Sequence, residues 1–289
     1  SEDLATNTSY LDVNAIAAAT GSAERVVGLH FFAPAHRMRL LEIVQGAATA
    51  PAVLATGVAL AKRLGKVAVI AGVGEGFIGN RIYSRYRQQC EFMIEDGATP
   101  EAIDAAVESL GFAMGPFATS DLSGLDIAWR MRKSKAATRD SRERYVMVAD
   151  RLCEMGRLGR KSGAGWYDYA EGASRGVPSP IVAEVIAAAR PAGIAPRAIS
   201  AEEIRGRVLG AIVNEAACIV EDGVARSPGD IDVVMVNGYG FSRFRGGPLF
   251  QAARLPEADL LRMIDAVGDA TGHGFRRGDV GRLLAALRR

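Results

Sequence analysis

Residues 26–44 read VVGLHFFAPAHRMRLLEIV, and the fold is decided there. Two runs rich in β-branched and aromatic residues, Val26 to Phe32 and Leu40 to Val44, predict strands. Pro34 closes the first and Gly46 ends the second. Upstream, LATNT at residues 4–8 reads as the end of a buried strand, so the chain looks cut inside a strand. Leu11 to Thr20 then predicts a helix, with Leu11, Ile16 and Ala19 on one face and Gly21 as its stop. Downstream, Thr49-Ala50-Pro51 opens a helix that Gly65 closes, and Val67 to Ala71 is a short buried strand. Strands alternating with helices are an α/β layer pattern.

Beyond residue 75 the character changes. Strand signals disappear and helical patterns take over at Ile78 to Glu95, Pro100 to Leu110, Leu122 to Lys135 and Asp140 to Met155. Residues 170–198, with Pro178, Pro180, Pro191 and Pro196, form a looser connection holding one Ala-rich helix, and a second helical block runs from about 201 to 289. The two blocks resemble each other. Glu95-Asp96-Gly97 recurs as Glu221-Asp222-Gly223, Ile103-Asp104 as Ile231-Asp232, and Gly115-Pro116 as Gly247-Pro248, with small insertions between them. Duplication of one helical unit, packed as an internal pseudo-dimer about a pseudo-twofold axis, is the expectation.

Composition narrows the functional classes. A net charge of +2 carries no electrostatic footprint for nucleic acid or a membrane surface. The Arg-rich stretch from Gly274 to Arg289 reads as a solvated helix face. Cys90, Cys153 and Cys218 form no CxxC, which argues against a disulfide framework or a zinc site and for reduced thiols in a cytoplasmic protein. No apolar run approaches a membrane span, and SEDLATNTS is not a signal peptide.

Several segments can carry chemistry. Gly74-Glu75-Gly76-Phe77-Ile78-Gly79 fits G-x-G-x-x-G after a strand and before a helix, as a dinucleotide-binding turn would. The residues downstream of the turn do not fit. A dinucleotide fold returns to a second parallel strand with an acidic residue near its end, whereas this chain continues into more helices. The better reading is a glycine-rich turn that lets the backbone pass close to a neighbour ahead of the helix of Asn80. His30 shares a strand face with Val26, Gly28 and Phe32. It reads either as a satisfied core histidine or as a catalyst at a strand mouth, where open α/β sheets bind ligands. Glu42, a carboxylate inside an apolar strand, needs a partner, and an imidazole would serve. Asn80 alone could equally be a turn or cap residue, Ser9 an N-cap, and Lys161, in GRKSGAGWYDY, a solvated lysine or a phosphate contact.

Taken together these segments resemble the 3-hydroxyacyl-CoA dehydrogenase family. LATNTSYLDVNAIA, GLHFFAPAHRMRLLEIV, GFIGNRI, GFAMGPF and GRKSGAGWYDY stand in the family's order and spacing. The second block, with VNEA and NGYGFSRFRGGP, looks like the dehydrogenase part of multifunctional fatty-acid oxidation proteins. The resemblance implies an α/β remnant followed by a mainly α region of two repeated helical domains. Residues 1–75 would be the C-terminal part of an NAD-binding Rossmann domain and 76–172 a first helical copy. Residues 173–200 would be a linker and 201–289 a second copy.

The resemblance also implies roles. His30 would be the general base, Glu42 its carboxylate partner, and Asn80 the substrate-orienting asparagine. Ser9 would contact both substrate and cofactor, and Lys161 would lie near the cofactor. Ala33 stands where many members place a cofactor-contacting asparagine, a departure that puts that one contact in doubt. Gly206 stands opposite Asn80 in the second block, which therefore lacks the asparagine. The family's first strand, fingerprint turn and acidic residue would precede Leu4. The implied reaction is oxidation of an L-3-hydroxyacyl-CoA by NAD in β-oxidation, with a thiolase subunit as a possible partner. Two rivals remain: a catalytically incomplete fragment acting as a helical binding and dimerisation module, and a related hydroxy-acid dehydrogenase acting on a sugar phosphate, whose motifs are not found.

Overall fold

The computed structural model describes residues 2–288. In chain order the elements are β1 (Leu4–Thr6), α1 (Val13–Ala18), β2 (Val26–Phe31), β3 (Leu40–Gln45), α2 (Pro51–Arg63), β4 (Val67–Gly72), α3 (Gly79–Asp96), α4 (Pro100–Leu110), α5 (Pro116–Ser123), α6 (Leu125–Ser134), α7 (Val148–Glu154), β5 (Tyr167–Asp168), β6 (Val177–Pro178), α8 (Pro180–Ala189), α9 (Ala201–Glu221), α10 (Pro228–Gly238), α11 (Pro248–Ala252), α12 (Glu257–Thr271) and α13 (Val280–Leu287). The result is a Rossmann-like sheet together with a helical domain. By compactness the chain divides into one unit of residues 1–85, 211–260 and 277–289 and another of 86–210 and 261–276.

The first unit is built on a four-stranded sheet in the order β1-β2-β3-β4. β1 and β2 run parallel, β2 and β3 antiparallel, and β3 and β4 parallel. Alternation along the strands gives the sheet two faces. Val27, Leu29, Leu41 and Ile43 pack with Val53 and Ala61 of α2 into an apolar core. The opposite face carries His30 and Glu42, which are directly paired across β2 and β3. α10 packs near this face; a Cβ on its Gly238 would lie 2.5 Å from Leu40 Cδ2, so a larger residue there would displace the Leu40 side chain. The edge of β4 is extended by residues after α9, where Gly72 N–H donates to the Val224 carbonyl at 2.8 Å.

The second unit gathers α4 to α8, the short β5–β6 pair and parts of α3, α9 and α12. Thr99 caps α4 by accepting the Ala102 amide, with Pro100 in the first turn. Partly buried arginines tie its interior together. Arg132 bonds Glu91 and Tyr145, and Arg144 bonds Glu95 and Asp96.

Several elements differ from their sequence patterns. The helix expected over Leu11 to Thr20 spans only Val13–Ala18, because Asp12 caps it by accepting the Asn14 amide at 2.8 Å. Ser9 is therefore not its N-cap; it sits in the bend that Thr8 Oγ1 organises by accepting the Leu11 amide at 2.8 Å. The helix expected over Leu122 to Lys135 is broken at Gly124, whose φ of 92° no helical residue adopts, so α5 ends and α6 begins there. Of the helix expected over Asp140 to Met155 only Val148–Glu154 forms. Asp140 folds back on the Arg142 amide, and Arg144 is drawn out to Glu95 and Asp96. Such side-chain bonds compete with the helical ladder. The β5–β6 pair carried no strand signal because each strand is two residues long.

Candidate active site

His30 is 3% exposed and Glu42 is fully buried. Strand register sets their Cα atoms opposite each other, and the His30 Nδ1···Glu42 Oε2 distance is 2.6 Å. Burying a carboxylate without partners costs several kcal/mol, roughly. Glu42 is satisfied on both oxygens: Oε1 accepts the backbone amides of Ile78 at 3.2 Å and Gly79 at 2.9 Å. These amides open α3, where the helix end favours negative charge. The G-x-G-x-x-G turn thus has an intramolecular tenant. Its amides hold the protein's own carboxylate, not a pyrophosphate, as the glycine-rich-turn reading anticipates.

With Nδ1 occupied by Glu42, the neutral imidazole carries its proton there and leaves the Nε2 lone pair as its acceptor. Phe32 and Phe77 flank the ring at centroid distances of 4.6 Å and 5.4 Å. Phe77 holds a φ of 48°, uncommon for a non-glycine residue, in the turn that presents the two amides to Glu42.

Asn80 follows Gly79 directly, so it lies one peptide from the amide that grips Glu42. It is half-buried, and its side chain does not cap the helix. Its Oδ1 accepts the Tyr239 hydroxyl at 2.6 Å. Tyr239, just past α10, stacks on Tyr83 and meets Phe32 edge-on, each at 5.6 Å between centroids. The contacts close a ring: His30, Glu42, Gly79, Asn80, Tyr239, Phe32 and back to His30. Within the same unit, Arg81 anchors the start of α3 to α9 through Glu215 at 2.5 Å and to the turn after α9 through Asp222 at 2.8 Å.

The other expected site residues lie outside this ring. Ser9 lies past the carboxyl end of β1, where Asn7 Oδ1 accepts the Phe31 amide at 3.2 Å and ties that end to β2. Ala33 follows Phe32 and is exposed. Lys161 belongs to the other unit, half-exposed and paired with Asp126 at 2.5 Å. The structure therefore joins His30, Glu42 and Asn80 by contact, and sets Ser9 and Ala33 beyond the carboxyl ends of two parallel strands. Tyr239 was missed by sequence reasoning; a tyrosine after a helix carries no sign of a partner 159 residues away.

A Rossmann-like sheet that carries a buried imidazole–carboxylate pair near the end of a strand, with a helical domain, is the architecture these elements build. The chain belongs to the 3-hydroxyacyl-CoA dehydrogenase family: the family's NAD binding domain matches residues 3–84 and its C-terminal domain residues 76–169. The peroxisomal bifunctional enzyme of Cavia porcellus is 45% identical over 274 residues, covering 90% of this chain and 38% of that protein. The fatty acid oxidation complex subunit alpha of Shewanella baltica is 33% identical, covering 94% of this chain and 38% of that protein. The chain thus spans less than half the length of these curated relatives. Among solved structures, 3-hydroxybutyryl-CoA dehydrogenase from Escherichia coli superposes with a TM-score of 0.74 at 28% identity, covering 98% of this chain and 75% of that one. The dehydrogenase part of multifunctional enzyme 1 from C. elegans gives 0.67 at 26% identity, covering 98% and 64%.

Proposed function

We propose that the protein oxidises the 3-hydroxyl of an L-3-hydroxyacyl-CoA to a ketone in fatty-acid β-oxidation, with NAD⁺ as cofactor. The buried 2.6 Å bond between His30 and Glu42 carries this reading. His30 Nε2 accepts the proton of the substrate hydroxyl. Glu42, braced by two backbone amides, holds the ring in the required tautomer and stabilises the imidazolium that forms. Asn80, with its Oδ1 engaged, presents its Nδ2 hydrogens to a substrate oxygen. Ser9 contacts substrate and cofactor from the end of β1.

The carboxyl ends of β1 and β2, with exposed Ala33 beside them, suit the nicotinamide end of the cofactor. Ser9 and Ala33 are the residues of this unit assigned to it, and bound NAD⁺ would supply the hydride acceptor. The turn of residues 74–79 is not assigned to the pyrophosphate, because its amides hold Glu42.

Residues 1–75 are read as belonging to the NAD-binding domain, 76–172 as one helical copy, 173–200 as a linker and 201–289 as a second copy forming an internal pseudo-dimer. Shared local devices support the duplication. Thr99 and Ser227 cap helices that begin with proline, and Asp104 and Asp232 each accept two amides at a later helix start. A thiolase subunit is the partner proposed by the family resemblance. Three buried free thiols suit the cytoplasm or another reducing compartment. The rival reading as a non-catalytic docking module is not favoured, since such a module has no use for a buried imidazole–carboxylate pair.

The test is NADH formation by the full-length protein from L-3-hydroxybutyryl-CoA and NAD⁺. Turnover with the L-ester and none with its D-enantiomer is expected; no NADH from the L-ester would overturn the reading.

A further inference from the structure

Within the ring of contacts around His30, the orientation of Asn80 is set from far along the chain. Its carboxamide can present either its oxygen or its NH₂ group to a substrate, and the two differ by a simple flip. The Tyr239 hydroxyl donates to Oδ1 at 2.6 Å, and a phenol is a better donor than acceptor. The flipped amide would face that hydroxyl with its own donors.

The tyrosine ring is itself held in place. It stacks on Tyr83 with an interplanar angle of 27° and meets Phe32 at 77°. It also occupies space that any larger residue at position 79 would need: a Cβ on Gly79 would lie 2.6 Å from Tyr239 Cε2, 3.1 Å from Val234 Cγ1 and 3.2 Å from Phe32 Cζ. Gly79 thus serves two neighbours at once, donating its amide to Glu42 and leaving room for the Tyr239 ring.

We propose that Tyr239 is a positioning residue for the Asn80 carboxamide, fixing its NH₂ group toward the substrate oxygen. This rests on the dehydrogenase reading for its kinetic consequence, but its geometry stands independently. The second helical block lacks an asparagine equivalent to Asn80, yet it supplies the side chain that orients Asn80.

The test uses the full-length protein with Tyr239→Phe, which keeps the ring and its stacking and removes only the hydroxyl. With acetoacetyl-CoA and NADH, kcat is expected to fall about tenfold and KM to change less than about twofold, the loss of roughly one hydrogen bond that aligns the reacting atoms. In an Asn80→Ala background the same change is expected to have no further effect, because Tyr239 acts through Asn80. An unchanged kcat, or an equal further loss in the Asn80→Ala background, would overturn the proposal. A crystal structure of Tyr239→Phe separates this proposal from the reading beneath it. If the wild-type protein fails to turn over, the dehydrogenase reading falls. The positioning proposal is then upheld if Asn80 loses its single orientation in Tyr239→Phe, and overturned if Asn80 keeps it.

Discussion

Glu42 and Asp104 solve the same local problem with different third partners. Each is a buried carboxylate that accepts two consecutive backbone amides at a helix start: Ile78 and Gly79 for Glu42, Phe117 and Ala118 for Asp104. Glu42 then pairs with the imidazole of His30 at 2.6 Å, whereas Asp104 takes the hydroxyl of Tyr167 at 2.8 Å. Burial and the adjacent Asp104 push the Tyr167 phenol far above its ordinary range, so it keeps its proton at any working pH. An imidazole, unlike a phenol, offers a second ring nitrogen that can accept a proton while the first is held. The same carboxylate brace therefore meets two different third partners, a phenol in one place and, in the other, the imidazole proposed as the base.

The comparison can be broken by substituting the two carboxylates. Glu42→Gln puts an amide NH₂ against His30 Nδ1 and forces the opposite tautomer, so the base is lost; kcat is expected to fall roughly a hundred- to a thousand-fold. Wild-type turnover in this variant would remove Glu42 from the chemistry. Asp104→Ala strands two amides and a buried phenol, and is expected to lower unfolding stability by about 3 kcal/mol in a urea titration while the folded fraction keeps its kcat. A large loss of kcat at unchanged stability would erase the distinction between the two sites.

A pH titration sharpens it further. Burial pushes the carboxyls of Asp104, Asp121 and Asp232 up to about 6, although backbone amides pull the other way. With the folded pKa raised, the native state holds more protons than the unfolded chain between roughly pH 4 and 6. The stability these groups contribute is full below that window and lost as pH rises through about 6. Side-chain carboxyl NMR should give midpoints near 6, and midpoints near 4 would refute the burial argument. The smallest expected effect is that of Lys161→Ala. It removes a half-exposed ion pair with Asp126 and should change stability by less than about 0.5 kcal/mol. A raised KM for NADH in this variant would support its assignment to the cofactor.

The centre of the site was legible because it violates the local pattern. A glutamate in the apolar run LLEIV and a histidine on the matching strand face each ask for a partner, and strand register supplies it. The G-x-G-x-x-G turn was legible as a close backbone approach, but what it approaches, Glu42, lies 36 residues upstream of Ile78. The Ile-Asp match between the helical blocks was visible in sequence, while the use of Asp104 and Asp232 to hold amides was not, since that depends on where Phe117 and Leu249 fall in space. Tyr239 was hidden for the same reason. The helix over Asp140 to Met155 was misread because its apolar periodicity is real, but Asp140 and Arg144 bond elsewhere and unmake its first half.

The most direct measurement is acetoacetyl-CoA reduction by the full-length protein carrying His30→Gln, with binding of the CoA ester measured on the same preparation. Turnover is expected to fall by roughly a thousandfold or more while the ester binds within about threefold of wild type. Near-normal turnover would contradict His30 as the base.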